Sequence, residues 1–247
     1  MTKFLFAFII AFWAVMTFIY IKNEVAPSLP AHSQPSYETL LKNKTVISQT
    51  KMGIFFGGAR IGFTTTKIEP ADMGSFKISN STKIRLPHIP AGNDIDMRGH
   101  TIISAKYRLD SFEFKVTSSL VNYAVKGNVT GNDIAIEIFD GRETKRHRMQ
   151  NIPEATLSNG FSPFLSMPNL TVGKEWTIHL FNPLSAGVEK ARAFVEQKTI
   201  LEIDDKAYDV YEVVIDYKGF KPRAWITQEG EILKEELVIP GLYFIKE

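Results

Sequence analysis

The stretch GIFFGGARIGF, residues 53–63, could do chemistry because it holds four glycines in eleven residues. A phosphate loop needs a Lys and then a Ser or Thr after its last glycine, and a dinucleotide loop must open a helix. Neither follows here, since the next residues, TTTKI, are largely β-branched and favour a strand. Arg60 also argues against a membrane-helix pairing motif. We therefore predict that Gly57 and Gly58 form the tip of a structural hairpin.

Other catalytic residue types are scattered or missing. The chain has no cysteine, which removes thiolate nucleophiles, disulfides and Cys-based zinc sites. It has no G-x-S-x-G elbow for a serine nucleophile. Five dispersed histidines lack any metal-ligand spacing: His32, His88, His100, His147 and His179. We predict no catalytic, cofactor-binding or metal-binding residue, with an enzyme whose site is assembled only on folding as the less favoured alternative.

Charged clusters offer two further candidates. Asp94 and Asp96 can face one way on a strand, but a calcium loop needs more oxygen ligands, so a polar hairpin end is predicted. The densest basic run could contact anionic lipid head groups or an acidic partner, or form a solvated strand pair. It contains Arg142, Lys145, Arg146, His147 and Arg148.

Large aromatic residues are the most suggestive candidates for binding. They recur along predicted strands, where they either fill a core or line an apolar pocket in a curled sheet. The possible pocket-lining residues are Phe55, Phe63, Phe112, Phe114, Trp176, Phe181, Tyr211 and Trp225.

The elements that must position these residues are mainly strands. Residues 111–119, 132–140 and 210–218 alternate apolar and polar side chains, which indicates strands with one face on a core. Turn signals such as Asp140-Gly141 and Glu229-Gly230 lie between such runs. We predict a mainly β fold, a long curved antiparallel sheet or partly closed barrel with one or two short helices. The helices are expected within residues 35–44 and from Ser162.

The N-terminus predicts a membrane anchor. Residues 4–21 contain no charge and would reach about 27 Å as a helix, close to the thickness of a bilayer core. A cleaved signal peptide is the alternative, although this apolar run is longer than usual. We predict an anchor at 1–22, a Pro-rich linker at 23–36 and a β domain at 37–247. Lys3 and the N-terminal amine weakly favour an extracytoplasmic body.

The net charge of the chain argues against one class of partner, nucleic acids. The formal charge is +2, with 29 Lys and Arg against 27 Asp and Glu. A near-neutral chain gives no reason to expect a nucleic-acid partner, which requires a basic surface. The expected contacts are the membrane, through the N-terminal helix, and an envelope protein or lipid-like ligand.

A series of landmarks resembles a known family. MGIFFGGARIGFTTTKIEP is followed by AKYRLDSFEFKVTSS and, near the end, by W-x-x-x-x-G-E-x-L-K-E-E. The last motif uses Trp225, Gly230, Glu231, Leu233 and Lys234. Over residues 50–247 the chain resembles the extracytoplasmic N-terminal β domain of bacterial transglutaminase-like proteins. Their catalytic Cys, His and Asp belong to a further domain, so the resemblance implies an accessory β domain without transferase activity.

These observations predict a non-catalytic accessory module, anchored in the bacterial inner membrane with its body in the periplasm. It would engage a partner protein or an apolar ligand. A structural assembly subunit is the main alternative.

Overall fold

The computed structural model describes residues 37–41, 47–86, 94–150, 156–157, 164, 167–182 and 187–247. The predicted anchor and linker, residues 1–36, lie outside this part of the chain, as does most of the helix expected from Ser162. Among the described residues, no helix is long and apolar enough to cross a bilayer.

The described residues form one short α-helix, one 3₁₀ turn and fifteen strands. The helix α1 is Tyr37–Leu41 and the 3₁₀ turn is Asp72–Gly74. The first eight strands are β1 Ser48–Phe56, β2 Ala59–Pro70, β3 Phe76–Arg85, β4 Asp94–Ile103, β5 Leu109–Thr117, β6 Asn122–Thr130, β7 Asp133–Phe139 and β8 Thr144–Met149. The others are β9 Thr156–Leu157, β10 Glu175–Asn182, β11 Gly187–Ile203, β12 Lys206–Asp216, β13 Arg223–Ile226, β14 Ile232–Glu236 and β15 Leu242–Lys246.

All fifteen strands belong to one sheet. Its order is β8-β7-β6-β5-β4-β3-β2-β1-β15-β14-β13-β12-β11-β10-β9, so the last strand joins the two halves by pairing with the first. Neighbouring strands are antiparallel except β9 and β10, which are parallel. The mainly β, antiparallel prediction is confirmed. The alternative of a partly closed barrel is not, because among the described strands β8 and β9 are edge strands that do not pair with each other.

The two edge strands, β8 and β9, have sequences that do not favour closure of the sheet. The strand β9 has only two residues, and the strand β8 exposes a run of charged side chains. Short and charged edge strands discourage pairing with a further strand.

One face of the sheet, here called the inner face, carries the hydrophobic core. Alternating residues place Phe112 and Val116 of β5 on this face with Ile134 and Ile136 of β7. Val213 and Ile215 of β12 lie on it as well. The period-two pattern therefore predicted correctly which side chains of these strands turn inward.

The core is divided into local clusters along the inner face. The central one surrounds Ile54 and Phe244, which are paired across β1 and β15. Another is closed by α1, whose Tyr37 and Leu41 lie four residues apart and both pack against β2, β3 and β4. Two more cover the β5–β7 and β10–β13 regions.

The glycines of residues 53–63 serve the hairpin between β1 and β2. Gly57 and Gly58 form its two-residue turn with φ of +56° and +84°, values that glycine adopts without steric cost. Gly62 allows close approach of the next strand, since a Cβ there would lie 2.1 Å from the Lys83 carbonyl oxygen.

Candidate binding surface

The eight aromatic residues predicted to line a pocket are divided between the two faces of the sheet. Phe55, Phe63 and Trp225 lie on the outer face, the face opposite the core. Phe112, Phe114, Trp176 and Tyr211 lie on the inner face, in three different core clusters. Phe181 belongs to β10, and its side chain is outside the described part of the chain. The structure thus does not bring the set together in one lining.

The outer-face aromatics belong to a strip that crosses β13, β14, β15 and β1. The Lys234 ammonium lies 4.5 Å from the Trp225 ring centroid and 5.6 Å from that of Tyr243. The Tyr243 ring in turn stacks on Phe55, with centroids 5.2 Å apart and planes only 5° from parallel. Such cation–π and stacked contacts between neighbouring strands stabilise the pairing of β13–β15 with β1.

The strip ends in an ionic cluster on β1 and β2. Lys51 lies 5.4 Å from the Phe63 ring centroid and 2.6 Å from the Glu247 carboxylate, which also accepts from Arg60. The hydrogen bond from Lys51 is the main cause that lowers the pKa of the Glu247 carboxyl. These contacts hold the Arg60 and Lys51 side chains on the outer face.

A more exposed apolar surface lies where the strands end. The strand pairing places three successive hairpin tips side by side: the turns between β12 and β13, between β14 and β15, and between β1 and β2. The Gly57 amide donates to the Gly241 carbonyl at 3.0 Å, which joins two of these tips directly. We call residues 56–59, 217–222 and 237–241 together the tip row.

The tip row exposes four large apolar side chains. Phe56 is 45% exposed, Phe220 51%, Val238 44% and Ile239 56%. Phe56 and Phe220 flank two-residue turns of the same kind, because Lys218 and Gly219 have φ of +49° and +85°. The Tyr217 and Phe220 backbones exchange two hydrogen bonds across the second turn. Tight turns of this kind hold their flanking side chains in place at the end of the sheet.

The charges of the tip row have one sign. Its segments FGGA, YKGFKP and LVIPG contain two lysines, Lys218 and Lys221, and no aspartate or glutamate. Both lysines are exposed and lie on either side of Phe220. Lys218 also lies 4.9 Å from the Tyr217 ring centroid.

The opposite ends of the same strands carry the opposite charge. The turns at residues 71–75, 204–205 and 227–231 contain five acidic residues and no Lys or Arg. We call these three turns the acidic row; its acidic residues are Asp72, Asp204, Asp205, Glu229 and Glu231. Met73, which is 97% exposed, is its one large exposed apolar residue.

The basic run singled out in the sequence forms the edge strand β8 and the turn before it. Its cationic side chains form ion pairs with acidic side chains of β7 and of the preceding turn. Arg146 donates to Glu137 at 2.8 Å, and Arg148 donates to Asp133 at 3.0 Å. Lys145 lies 2.8 Å from Glu143. This arrangement corresponds to the solvated strand pair.

The remaining charged candidates are engaged in local pairs. Asp94 accepts two bonds from Arg85, which lowers the pKa of its carboxyl, and Asp96 pairs with Arg98 at 2.9 Å. Within the described residues, no group of three or more His, Asp or Glu side chains could hold a metal ion.

One buried carboxylate lies on the outer face. Glu212 is 4% exposed and accepts from Gln197 at 2.7 Å and from Arg223. Arg223 also bonds Glu196 at 2.6 Å, and the contact with Glu212 is the main cause that raises the pKa of its guanidinium. A buried carboxylate held by an arginine and an amide is a structural arrangement, because removing either partner leaves a buried group unsatisfied.

The sequence reasoning missed the four exposed apolar residues of the tip row. A signal was available: Phe56 directly precedes the predicted turn glycines, Phe220 follows Gly219, and Val238 and Ile239 precede Pro240-Gly241. Large apolar residues beside turn residues are placed at a hairpin tip, where no strand covers them.

Comparison with known proteins places the chain in no family. No protein-family model matches it, and no curated protein is similar to it. A solved structure that is similar is the crystal structure of a beta-barrel-like protein of domain of unknown function DUF1849 from Brucella abortus. The match has 9% identity and a TM-score of 0.49, and it covers 80% of this chain and 94% of that chain.

This result corrects the resemblance to transglutaminase-like proteins, which is wrong: no family model matches the chain, and the similar solved structure is described as beta-barrel-like. The resemblance relied on the spacing of turns and aromatic residues. Antiparallel meanders with strands of similar length share that spacing, since turn follows strand at regular intervals in all of them.

Proposed function

We propose that this protein is a non-catalytic binding module that contacts an apolar partner surface through the tip row. The observation that carries the proposal is the grouping of four half-exposed, large apolar side chains on three adjacent hairpin tips. Single exposed apolar residues are common on soluble proteins, whereas grouped ones mark interaction sites. The turns that hold them are tight, so little conformational entropy is lost when they are buried against a partner.

The non-catalytic part of the proposal is supported by the state of the acidic residues. Asp94, Asp96 and Glu212 each pair with an arginine, which favours a structural role over acid–base chemistry. An enzyme remains the alternative if a site forms from residues outside the described part.

The location of the module is part of the same proposal. The uncharged residues 4–21 would anchor the chain in the bacterial inner membrane, with the β domain in the periplasm. We expect a C-terminal alkaline phosphatase fusion to be active. An inactive fusion, together with an active cytoplasmic reporter, would reverse this orientation.

The contact surface can be tested by thiol accessibility, because the natural chain has no cysteine. Val238→Cys places one thiol in the tip row, and Met73→Cys places a matched thiol in the acidic row. In native membranes that contain the full chain, a membrane-impermeant maleimide should label position 73 and spare position 238. In detergent both should be labelled. Equal labelling in membranes would refute the proposal.

A structural assembly subunit is the second candidate, because an apolar row at a sheet end also suits contact with a neighbouring protein. In that case, protection of position 238 would require a protein partner and would disappear in protein-free lipid.

A further inference from the structure

The charge of the tip row restricts what the apolar side chains can contact. An apolar protein partner would require the exposed Lys221 ammonium, which lies next to Phe220, to be desolvated. An anionic lipid surface can contact the cationic and the apolar side chains of the tip row at the same time. Lysine ammonium groups stay at the level of the head groups, while apolar side chains enter the region below them.

The geometry of the row suits a surface rather than a pocket. Successive hairpin tips on one edge are separated by two strands, or about 10 Å, so three tips form a row of about 20 Å. The row consists of turns at the end of a sheet, and its four apolar residues are distributed over three tips. Side chains spread over separate tips fit a broad, deformable layer better than they fit a small-molecule cavity.

We propose that the tip row docks on a bilayer surface that carries anionic head groups, with Phe56, Phe220, Val238 and Ile239 below the head groups. This inference rests on the proposed function and names its partner. It also orients the domain: the acidic row, at the other ends of the same strands, points away from the membrane, where its negative charge is not repelled by the lipid.

The edge strand β8 is the alternative basic surface, and it fits a membrane less well. Arg146, Arg148 and Lys145 are already matched by acids within hydrogen-bond or ion-pair distance. Its exposed face also lacks the large apolar side chains that the tip row has. A bilayer would therefore bury less apolar surface on this strand than on the tip row.

The test uses the full chain in protein-free liposomes. A polarity-sensitive NBD fluorophore is attached to Val238→Cys or, as the matched control, to Met73→Cys. In liposomes of phosphatidylcholine and phosphatidylglycerol, the emission at position 238 should shift to the blue and rise, while that at position 73 should not change. In pure phosphatidylcholine the shift at position 238 should be weaker.

A second pair of variants isolates the lysines. Each neutralised lysine, Lys218→Gln or Lys221→Gln, should lower the ratio of docked to undocked protein about fivefold on anionic liposomes. Lys206→Gln, next to the acidic row, should leave that ratio unchanged. Circular dichroism confirms that each variant is folded.

The outcomes separate the inference from the proposed function. An unshifted probe at position 238 in anionic liposomes, together with protection of the same position in native membranes, would overturn the lipid inference and leave a protein partner. Loss of both signals would overturn both proposals. An equal shift at positions 73 and 238 would overturn the orientation.

Discussion

The two ends of the strands β11 to β15 and β1 to β3 differ in both polarity and charge. One end, the tip row, exposes four large apolar side chains beside two lysines, whereas the other, the acidic row, has five acids and no Lys or Arg in its turns. Both ends use tight turns with positive φ, so the backbone does not cause the difference. The difference lies in the types of residue that stand within and beside the turns.

The same contrast appears in how β15 is joined to β1. Near the tip row, the strand pairing is extended by a backbone hydrogen bond from Gly57 to Gly241 and by the stack of Phe55 on Tyr243. Near the acidic row, Glu247 bonds Lys51 through its backbone amide at 3.0 Å and its side chain at 2.6 Å. Lys246 also bonds Glu231 at 2.6 Å. Side-chain ion pairs thus add to the strand pairing near the acidic row.

Removing the aromatic side chains of the tip row should have the largest effect. We expect Phe56→Ser with Phe220→Ser to weaken docking on anionic liposomes about 30-fold. Each substitution removes a ring whose burial in the bilayer contributes about 1 kcal/mol to docking. The NBD signal at Val238→Cys measures this. Met73→Ser is the matched control and should have no effect; a similar loss with both would show that the two ends do not differ in function.

High salt should have the next largest effect. Raising the ionic strength from 0.1 to 1 M shortens the Debye length from about 10 Å to about 3 Å and screens Lys218 and Lys221 from the lipid charge. We expect docking on anionic liposomes to fall about tenfold and docking on neutral liposomes to persist. Salt-independent docking would mean that the lysines do not contribute.

The ionic link at the other end should contribute less. Glu247→Gln should lower the free energy of unfolding by at most about 1 kcal/mol, because Lys51 is partly exposed and its pairing is screened. Faster amide exchange at Ile245 and Lys246, with unchanged exchange at Leu242, would show that only this end loosens. Uniform acceleration along β15 would contradict the separation of the two ends.

The pH dependence of this link follows from the lowered pKa of Glu247. A carboxyl whose pKa is lower in the folded state stabilises the protein above its ordinary pKa of about 4.3. That contribution is lost as the pH falls through the lowered value. The difference between wild type and Glu247→Gln should therefore vanish in strong acid, as urea titrations at several pH values would show.

Neutralising the acidic row should have the smallest effect on docking. Asp204→Asn with Asp205→Asn keeps residues that tolerate the positive φ of this turn. We expect docking to change less than twofold, since the row faces away from the lipid. A large gain in binding would show that this end also approaches the membrane.

Much of the fold could be predicted from the sequence because side chains on a β-strand alternate between its two faces, a two-residue pattern that is visible in the sequence. Alternation identified the inward residues of β5, β7 and β12, and glycine placed the β1–β2 turn. The open edges could not be predicted in this way, since closure depends on how fifteen strands are ordered. Strand order arises from long-range pairing, such as that of β15 with β1.

The candidate site was harder to predict because it depends on which residues share an end of the sheet. Phe56 is far from Phe220 and Ile239 in sequence, and all three reach the same end of the sheet only through the pairing of β13 with β14, of β14 with β15 and of β15 with β1. The aromatic residues chosen from the sequence were instead those within strands. Strand residues are covered by neighbours, as Phe112 and Trp176 are, whereas turn-flanking residues stay exposed.

Quenching by nitroxide-labelled lipid tests the central claim most directly, because it requires contact between lipid and probe. The full chain carries NBD at position 238 or at position 73, in anionic liposomes that contain lipid with a nitroxide just below the head group. The account predicts strong quenching at position 238 and almost none at position 73. Equal quenching at both positions, or stronger quenching at position 73, would contradict it.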